Sequence, residues 1–190
     1  MAEAKTVIRY GIGDYIDTGD GTFALLGLGV VSLDENPGAK IDKQAFINDR
    51  SASGTVTGYE NAFAFDAQLR TGTGAEGIEY IYGIARDQKT GTDAETYYCR
   101  VDLYKGTGSG TSYPARRFKV AVEVASVTGA GTEIMRVTGN LHQVGNFIGC
   151  KHVFLRIFVR IKQIICINKV SLCITIFMKI LGILGKSKFL

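Results

Sequence analysis

The 190-residue chain carries 22 lysine and arginine residues against 18 aspartate and glutamate residues, a formal net charge of +4. The charges are unevenly divided: residues 1–150 hold all 18 acids and 14 of the bases, whereas residues 151–190 hold eight bases and no acid. The first part is therefore mildly acidic, which argues against a protein that grips duplex DNA through its phosphates with clustered bases.

The glycine and cysteine residues indicate the structural class and the redox compartment of the protein. Of the 24 glycines, 22 precede residue 151, and this abundance is typical of β-strands joined by tight turns. The four cysteines (Cys99, Cys150, Cys166 and Cys173) form no CxxC pair and no spaced disulfide framework, which indicates a reducing compartment. The opening MAEAKTVIRYG has no apolar core, so we expect no signal peptide.

Turn formers dominate residues 1–21, which predicts a loop or an extended arm. The run TFALLGLGVVSL (22–33) is apolar on both faces and predicts a central strand that is covered on both sides. DENPG (34–38) ends this strand with turn residues. The polar segment 39–54 has no clear period, and a connection of this length inside a compact domain is commonly functional.

Clear alternation begins in TVTGYENAFAFDAQL (55–69), which predicts one strand with one buried and one wet face. The predicted buried face carries Tyr59, Phe63, Phe65, Ala67 and Leu69. The predicted wet face carries Glu60, Asp66 and Gln68.

One good helix follows, over about residues 74–87. Thr73 precedes Glu76 by three residues, which is the spacing of a capping box. An apolar stripe at helical spacing comprises Ile78, Ile81, Tyr82 and Ala85. Gly91 is the expected stop.

Three more strands alternate in the remainder. In the first, Tyr97, Cys99, Val101 and Leu103 are expected to point inward and Tyr98, Arg100 and Asp102 outward. The segment 105–114 reads as a flexible hairpin loop. In the next strand, Phe118, Val120, Val122 and Val124 are expected to point inward. The chain then turns at TGAG (128–131), and a further strand runs back over 132–144 to complete a hairpin. The sequence thus predicts a mainly β protein, an antiparallel β-sandwich or barrel with one flanking α-helix.

Candidate catalytic and metal-binding residues are sparse. We interpret His142 as an exposed strand histidine and Cys99 as a small buried hydrophobe. Asp14, Asp17 and Asp20 are three residues apart, whereas the calcium loop spaces its acids by two, so we expect a solvated turn. We predict no enzymatic activity, no catalytic residue, no cofactor and no metal.

Several consecutive segments carry a family resemblance. They are SLDENPGAK, INDRSASG, TVTGYENAFAFDAQL, AEGIEYIYGIARDQKTG, YYCRVDLYKG and RRFKVAVEVASVTGAGTEIMRVTGNLHQVG. In their order, they resemble the major tail (tail tube) proteins of long-tailed phages of Gram-positive bacteria. The resemblance covers about residues 1–149, which we take as one domain.

This resemblance implies a structural subunit of a phage or prophage tail. Six copies would close a ring by joining sheets edge to edge. The rings would stack into a tube that contacts other tail proteins and passes the genome without binding it specifically. The expected location is the virion tail, with assembly in the host cytoplasm.

The resemblance also implies roles for particular residues. The segment 39–54 would reach the neighbouring ring, with candidate contacts Lys40, Asp42, Lys43, Phe46, Ile47, Asn48, Asp49 and Arg50. Glu60, Asp66 and Asp102 are candidate acids of the lumen or of another wet face.

The family pattern breaks at residues 150–190, an apolar and basic tail. Lys169 and Lys179 interrupt its most apolar stretch, which counts against a membrane anchor, because each lysine near mid-bilayer costs roughly 2.5–3.5 kcal/mol. We favour an out-of-frame or mispredicted end, because acids are absent and isoleucine, lysine, phenylalanine and leucine fill most of the stretch. A cationic helix on a membrane surface and a helix that docks on a partner are the alternatives. If the tail is genuine, the alternative function is a β-sandwich binding module anchored to a membrane.

Overall fold

The computed structural model describes residues 6–19, 21–48, 50–106, 112–153 and 166–167. These residues form eleven strands and one α-helix, α1 (Glu76–Arg86). The strands are β1 (Ile12–Asp17), β2 (Phe23–Leu25), β3 (Val30–Asn36), β4 (Ala39–Gln44), β5 (Ser53–Tyr59), β6 (Ala62–Gln68), β7 (Glu95–Asp102), β8 (Ser112–Thr128), β9 (Arg136–Gln143), β10 (Ile148–Val153) and β11 (Cys166–Ile167). The predicted mainly antiparallel β-fold with one helix is confirmed.

Strand β8, 17 residues long, runs through both layers of one nine-stranded hydrogen-bonded sheet, and we call these layers the first and the second sheet. Its first half lies between β7 and β10 in a first sheet that continues to β1 and β2. Its second half pairs with β9 in a second sheet, ordered β8-β9-β6-β3. All pairings are antiparallel, and β11 pairs with the outer side of β10.

The two sheets must face each other because of one short connection. β2 and β3 lie at opposite ends of the strand order, yet only residues 26–29 join them. This connection can span at most about 18 Å, whereas the two strands would lie about 29 Å apart in a flat sheet. The strand order therefore folds over into a sandwich.

The prediction of one central strand over residues 22–33 is wrong, because the same connection interrupts it. The run is two edge strands separated by a turn, in which Gly29 has a φ of +90°. Phe23 and Leu33 are buried, but Leu25 and Val31 are 51% and 59% exposed. Apolar composition alone could not distinguish a covered strand from two strands with exposed sides.

The core between the sheets is centred on three aromatic rings. The ring centroids of Phe63 and Tyr98 lie 4.6 Å apart, and those of Phe63 and Phe118 lie 4.9 Å apart. Helix α1 packs on this core through Ile78, Ile81 and Ile84, all nearly fully buried. Residues 74–87 were predicted as the helix, which is confirmed, but Ile84 lies on the buried face where the predicted stripe had Ala85.

The predicted capping box is wrong. The helix is preceded by Ala75, which has no side chain able to cap it. Glu76 instead accepts a hydrogen bond from the backbone N–H of Gly74, at 2.9 Å. Because Gly74 has a φ of +92°, the chain enters the helix through a glycine turn instead of an extended threonine.

Three further strand predictions need correction. Residues 12–17 are a strand, not an arm, because Ile16 is fully buried. Residues 55–69 form two strands, and Tyr59 is 62% exposed, although Phe63, Phe65 and Ala67 are buried as predicted. β7 is covered on both faces over most of its length. Tyr98 and Arg100, predicted to point outward, are fully buried and 7% exposed, whereas Tyr97, predicted to point inward, is 38% exposed.

The β8–β9 hairpin is confirmed, with Phe118, Val120 and Val122 buried. Residues 107–111 of the predicted hairpin loop lie outside the described residues. β10 crosses the predicted domain boundary after residue 149 and pairs with Ser112–Arg117 of β8. The sequence of the tail, residues 150–190, allows several interpretations. Most of this tail also lies outside the described residues.

A buried charge network lies between the sheets, and Asp14 of β1 is at its centre. This residue was expected in a solvated turn but is only 2% exposed. Its Oδ1 accepts a hydrogen bond from the Tyr98 hydroxyl at 2.5 Å, and its Oδ2 is ion-paired with Arg9. Burial, aided by the Asp14 charge, raises the pKa of Tyr98 well above its ordinary value, so the phenol remains a neutral donor.

Glu35 extends this network from β3 to the first sheet. It accepts two hydrogen bonds from Arg116 of β8, at 2.6 and 3.0 Å. Its Oε2 also lies 3.3 Å from Nη1 of Arg100 on β7. Because β3 is an edge strand of the second sheet, these ion pairs hold it against the first sheet.

Replacing Asp14 with alanine should lower the free energy of unfolding by about 3–5 kcal/mol. The substitution leaves the Tyr98 hydroxyl without its acceptor and removes one of the two carboxylates beside Arg100. Chemical denaturation of the full chain measures the effect. The matched variant Asp34→Ala, at an exposed position, should stay within about 0.5 kcal/mol of the wild type. Equal stability of the two variants would contradict the structural role of the network.

Acid should weaken the same network through Glu35. Burial alone would raise the pKa of Glu35, but the hydrogen bonds and charge of Arg116, with the charge of Arg100, outweigh it and hold the pKa below its ordinary value. A carboxyl group with a lower folded than unfolded pKa stabilises the fold above the unfolded pKa, and this stability is lost as the pH falls through the folded pKa. We expect the unfolding free energy to fall below about pH 5, and less steeply in Glu35→Gln. Denaturation curves at a series of pH values test this, and identical slopes would contradict it.

Candidate assembly surfaces

The segment 39–54, expected to be an aperiodic loop, instead forms most of a separate two-stranded sheet. β4 and β5 pair antiparallel from Ala39 opposite Tyr59 to Gln44 opposite Ser53. The register shifts between Lys40 and Ile41, which interrupts the alternation along the segment. No position in β4 is buried, so the sequence lacks the apolar period by which a strand is recognised.

The hairpin continues β3 and β6 beyond a kink. At the kink, the N–H of Glu60 donates to the carbonyl oxygen of Gly38 at 3.0 Å. Gly38 has a φ of +55°, and a Cβ there would lie 2.4 Å from the Glu60 carbonyl oxygen. Only glycine fits this crossing, beyond which the paired strands of the hairpin run for about 20 Å.

One face of the hairpin is apolar and exposed. Ile41 lies opposite Val56, and Ala39 lies opposite Tyr59, so these residues share a face. The three larger side chains are 50–62% exposed. Phe46 and Ile47, in the connecting loop, are 62% and fully exposed. Contiguous exposed apolar surface of this kind marks a site of interaction.

The structure gathers the predicted inter-ring residues on this hairpin. Lys40, Asp42 and Lys43 lie on β4, and Phe46, Ile47, Asn48 and Arg50 lie in the loop that follows, whereas Asp49 lies outside the described residues. Lys40 is ion-paired with Glu60 at the hairpin base. The sequence did not reveal that Ile41, Val56 and Tyr59 form the apolar face, because the register shift hides their common side.

A second surface is the outer face of the second sheet, which we call the polar face. Its side chains alternate with the core residues along the four strands, and none is buried. They are Ser32, Asp34, Asn36, Ala62, Ala64, Asp66, Gln68, Ala121, Glu123, Ser126, Thr128, Arg136, Thr138, Asn140 and His142. The face has no large apolar residue and carries three carboxylates against one guanidinium.

Contacts between strands order the charged groups of the polar face. Asp66 pairs with Arg136 through both of its carboxylate oxygens. Glu123 accepts a hydrogen bond from Asn140 at 3.1 Å and lies 2.6 Å from Nε2 of His142. The His142 contact, followed by that of Asn140, lowers the pKa of Glu123, which favours its ionised form.

The three predicted wet-face acids do not come together. Asp66 lies on the polar face. Glu60 lies at the base of the hairpin, and Asp102 ends β7 in the first sheet, 3.7 Å from Lys105. Two other predictions are confirmed: His142 is exposed on β9, and Cys99 is fully buried.

The second sheet has a free edge on each side. Among the described residues, β3 pairs only with β6, and β8 has no partner strand beyond Ala121 on the side opposite β9. Strand directions alternate across β8, β9, β6 and β3. The β3 edge of one copy would therefore meet the β8 edge of another in antiparallel orientation, as the sheet pattern requires.

The described residues contain no group of three or more histidine, cysteine or acidic side chains placed to hold a metal ion. Within the same ranges, no helix has the length and apolarity needed to cross a membrane.

No protein-family model matches the chain, and no curated protein matches it. Several solved structures match the chain. A chain from the tail of an empty gene transfer agent (GTA) particle, determined with C6 symmetry, aligns with a TM-score of 0.54 at 10% identity, covering 75% of this chain and 98% of that one. A chain of the native GTA virion aligns with a TM-score of 0.53 at 8% identity, covering 76% and 98%. The SPP1 tail tube aligns with a TM-score of 0.54 at 13% identity, covering 76% and 78%. The chain therefore shares its fold with these chains, two of which come from a GTA tail and from the SPP1 tail tube.

Proposed function

We propose that this chain is a non-enzymatic structural subunit of a phage or prophage tail tube, whose copies join into closed rings that stack. The observation that carries the proposal is the second sheet, which has a polar outer face and two free edges of matching polarity. The fold shared with GTA and SPP1 tail chains supports the same function.

Ring closure uses the two free edges. An uncovered strand edge templates pairing with another chain, and natural monomers avoid it. Joining two different edges of one subunit is a heterologous contact, which closes into a ring when the rotation permits. Six copies, supported by the C6 symmetry of the GTA tail, would supply about 24 strands. Barrels of 16–18 strands already enclose an aqueous channel, so this one would be open.

The polar face lines the lumen of such a ring, because the opposite face of the sheet is the core of the subunit. Asp34, Asp66 and Glu123 outnumber the single guanidinium of Arg136 on this face. A mildly negative wall repels phosphate and releases no counterions, so duplex DNA passes without being held.

Stacking uses the β4–β5 hairpin, which projects from the sandwich and exposes the apolar residues Ile41, Val56 and Tyr59. Contact with the next ring would remove this surface from water. Loop residues Phe46 and Ile47 would be buried in the same contact. The assembled subunit would contact other tail proteins at the tube ends, in a virion tail that is assembled in the host cytoplasm.

The substitution Ile47→Asp should leave rings intact and abolish their stacking. A carboxylate at this fully exposed position cannot enter an apolar contact without a large desolvation cost. Negative-stain microscopy and sedimentation of the full chain distinguish rings from tubes. The matched control Lys89→Gln lowers the charge by the same amount beyond helix α1 and should form tubes like the wild type. Normal tubes from Ile47→Asp would contradict the proposed role of the hairpin.

Reversing the charge of the polar face should make the tube bind DNA. Asp34→Lys would place a base in each subunit of the lumen wall, and binding should weaken steeply as salt is raised. Co-sedimentation of assembled tubes with duplex DNA shorter than the tube measures the effect. Asp87→Lys, at the C-terminal end of α1 and away from the polar face, is the matched control. If both variants bind DNA equally, the polar face does not line the lumen.

A further inference from the structure

A row of side chains crosses the second sheet from one free edge to the other. In cross-strand register, Val127 of β8 lies opposite Val137, Val137 opposite Ala67, and Ala67 opposite Val30. Val137 and Ala67, in the middle of the row, are fully buried. The row ends at Val127, which is 39% exposed, on one side and at half-buried Val30 on the other. The next residue, Val31, lies at a register shift between β3 and β6 and is 59% exposed.

Val31 stands on the rim of a groove that separates β3 from β1 and β2. The groove has a volume of about 530 Å³. Its apolar lining includes Leu25, which is 51% exposed, and Leu103. The carboxylate of Asp14 at its floor already accepts the Tyr98 hydroxyl and is paired with Arg9, so apolar contact is what the groove offers an occupant.

We propose that this groove receives Val127 of a second copy of the chain, which adds the end of its β8 to the edge of β3. This inference rests on the proposed ring and names the residues that make its lateral contact. A strand added to a free edge continues the ladder, and its alternate side chains enter the space beside that edge. Val127 points to the core face of its own sheet, as Val137 does, so it would face the groove.

Two observations favour a second copy as the occupant. The chain itself carries a free edge of the required antiparallel polarity, from Val122 to Thr128. The row can continue by one strand into the next subunit without a shift along the strand direction. In that arrangement, Val127 of one subunit lies beside Val30 and Val31 of the next. The apolar hairpin β4–β5 contributes no residue to the cross-strand row that ends beside the groove.

The substitution Val127→Asp tests the contact in the full chain. In negative stain we expect rings for the wild type and monomers for Val127→Asp, with an unchanged unfolding midpoint because Val127 is partly exposed. Leu25→Asp should act in the same way from the opposite side. The matched control is Ile134→Asp, which is 58% exposed in the connection between β8 and β9 and outside the row, and it should keep the rings.

A cross-linking experiment tests the pairing directly. Val127→Cys and Val31→Cys chains, prepared separately, should yield a covalent dimer with a short bifunctional maleimide in far greater amount when mixed than when either is treated alone. Wild-type chain treated identically accounts for the native cysteines. Rings from both Val127→Asp and Leu25→Asp, or no excess dimer in the mixture, would overturn the groove contact and leave the ring standing. A wild-type chain that forms no ring at any concentration would overturn the proposed function as well.

Discussion

The rest of the structure depends on the short connection at residues 26–29. Because it joins the two ends of the strand order, the sheets cannot stay flat and must fold over a shared core. The same connection fixes β3 at an edge, with its outer side open. The free edge, the groove beside it and the hairpin that continues from it are all consequences of this one constraint.

The ion pairs of Glu35 keep the free edge of β3 in a position where a second copy can pair with it. An edge strand with one partner would fray, but Glu35 holds β3 to Arg100 and Arg116 of the opposite sheet. An edge held in place is preorganised for pairing, since a second copy need not order it first. The charges therefore stabilise the subunit and keep its assembly edge in position.

The sequence predicted the parts of this fold whose side chains alternate. Phe118, Val120 and Val122 revealed β8, and Ile78 and Ile81 revealed the helix, because burial on one side enforces a period. The β4–β5 hairpin escaped prediction because it has no buried side and contains a register shift. The charge network escaped because Asp14 and Arg100 acquire partners only in the folded chain, and acids and bases are otherwise expected in solvent. The polar face was partly predicted through Asp66, but its pairing with Arg136 joins residues distant in sequence.

Hydrogen–deuterium exchange on the full chain, compared between dilute monomer and concentrated assembly, tests whether the edges of β3 and β8 pair between copies. We expect backbone amides of Val30–Asn36 and of residues 122–128 to become protected together on assembly, because the two edges form one ladder. If the chain assembles while both segments exchange as fast as in the monomer, these edges do not close the rings.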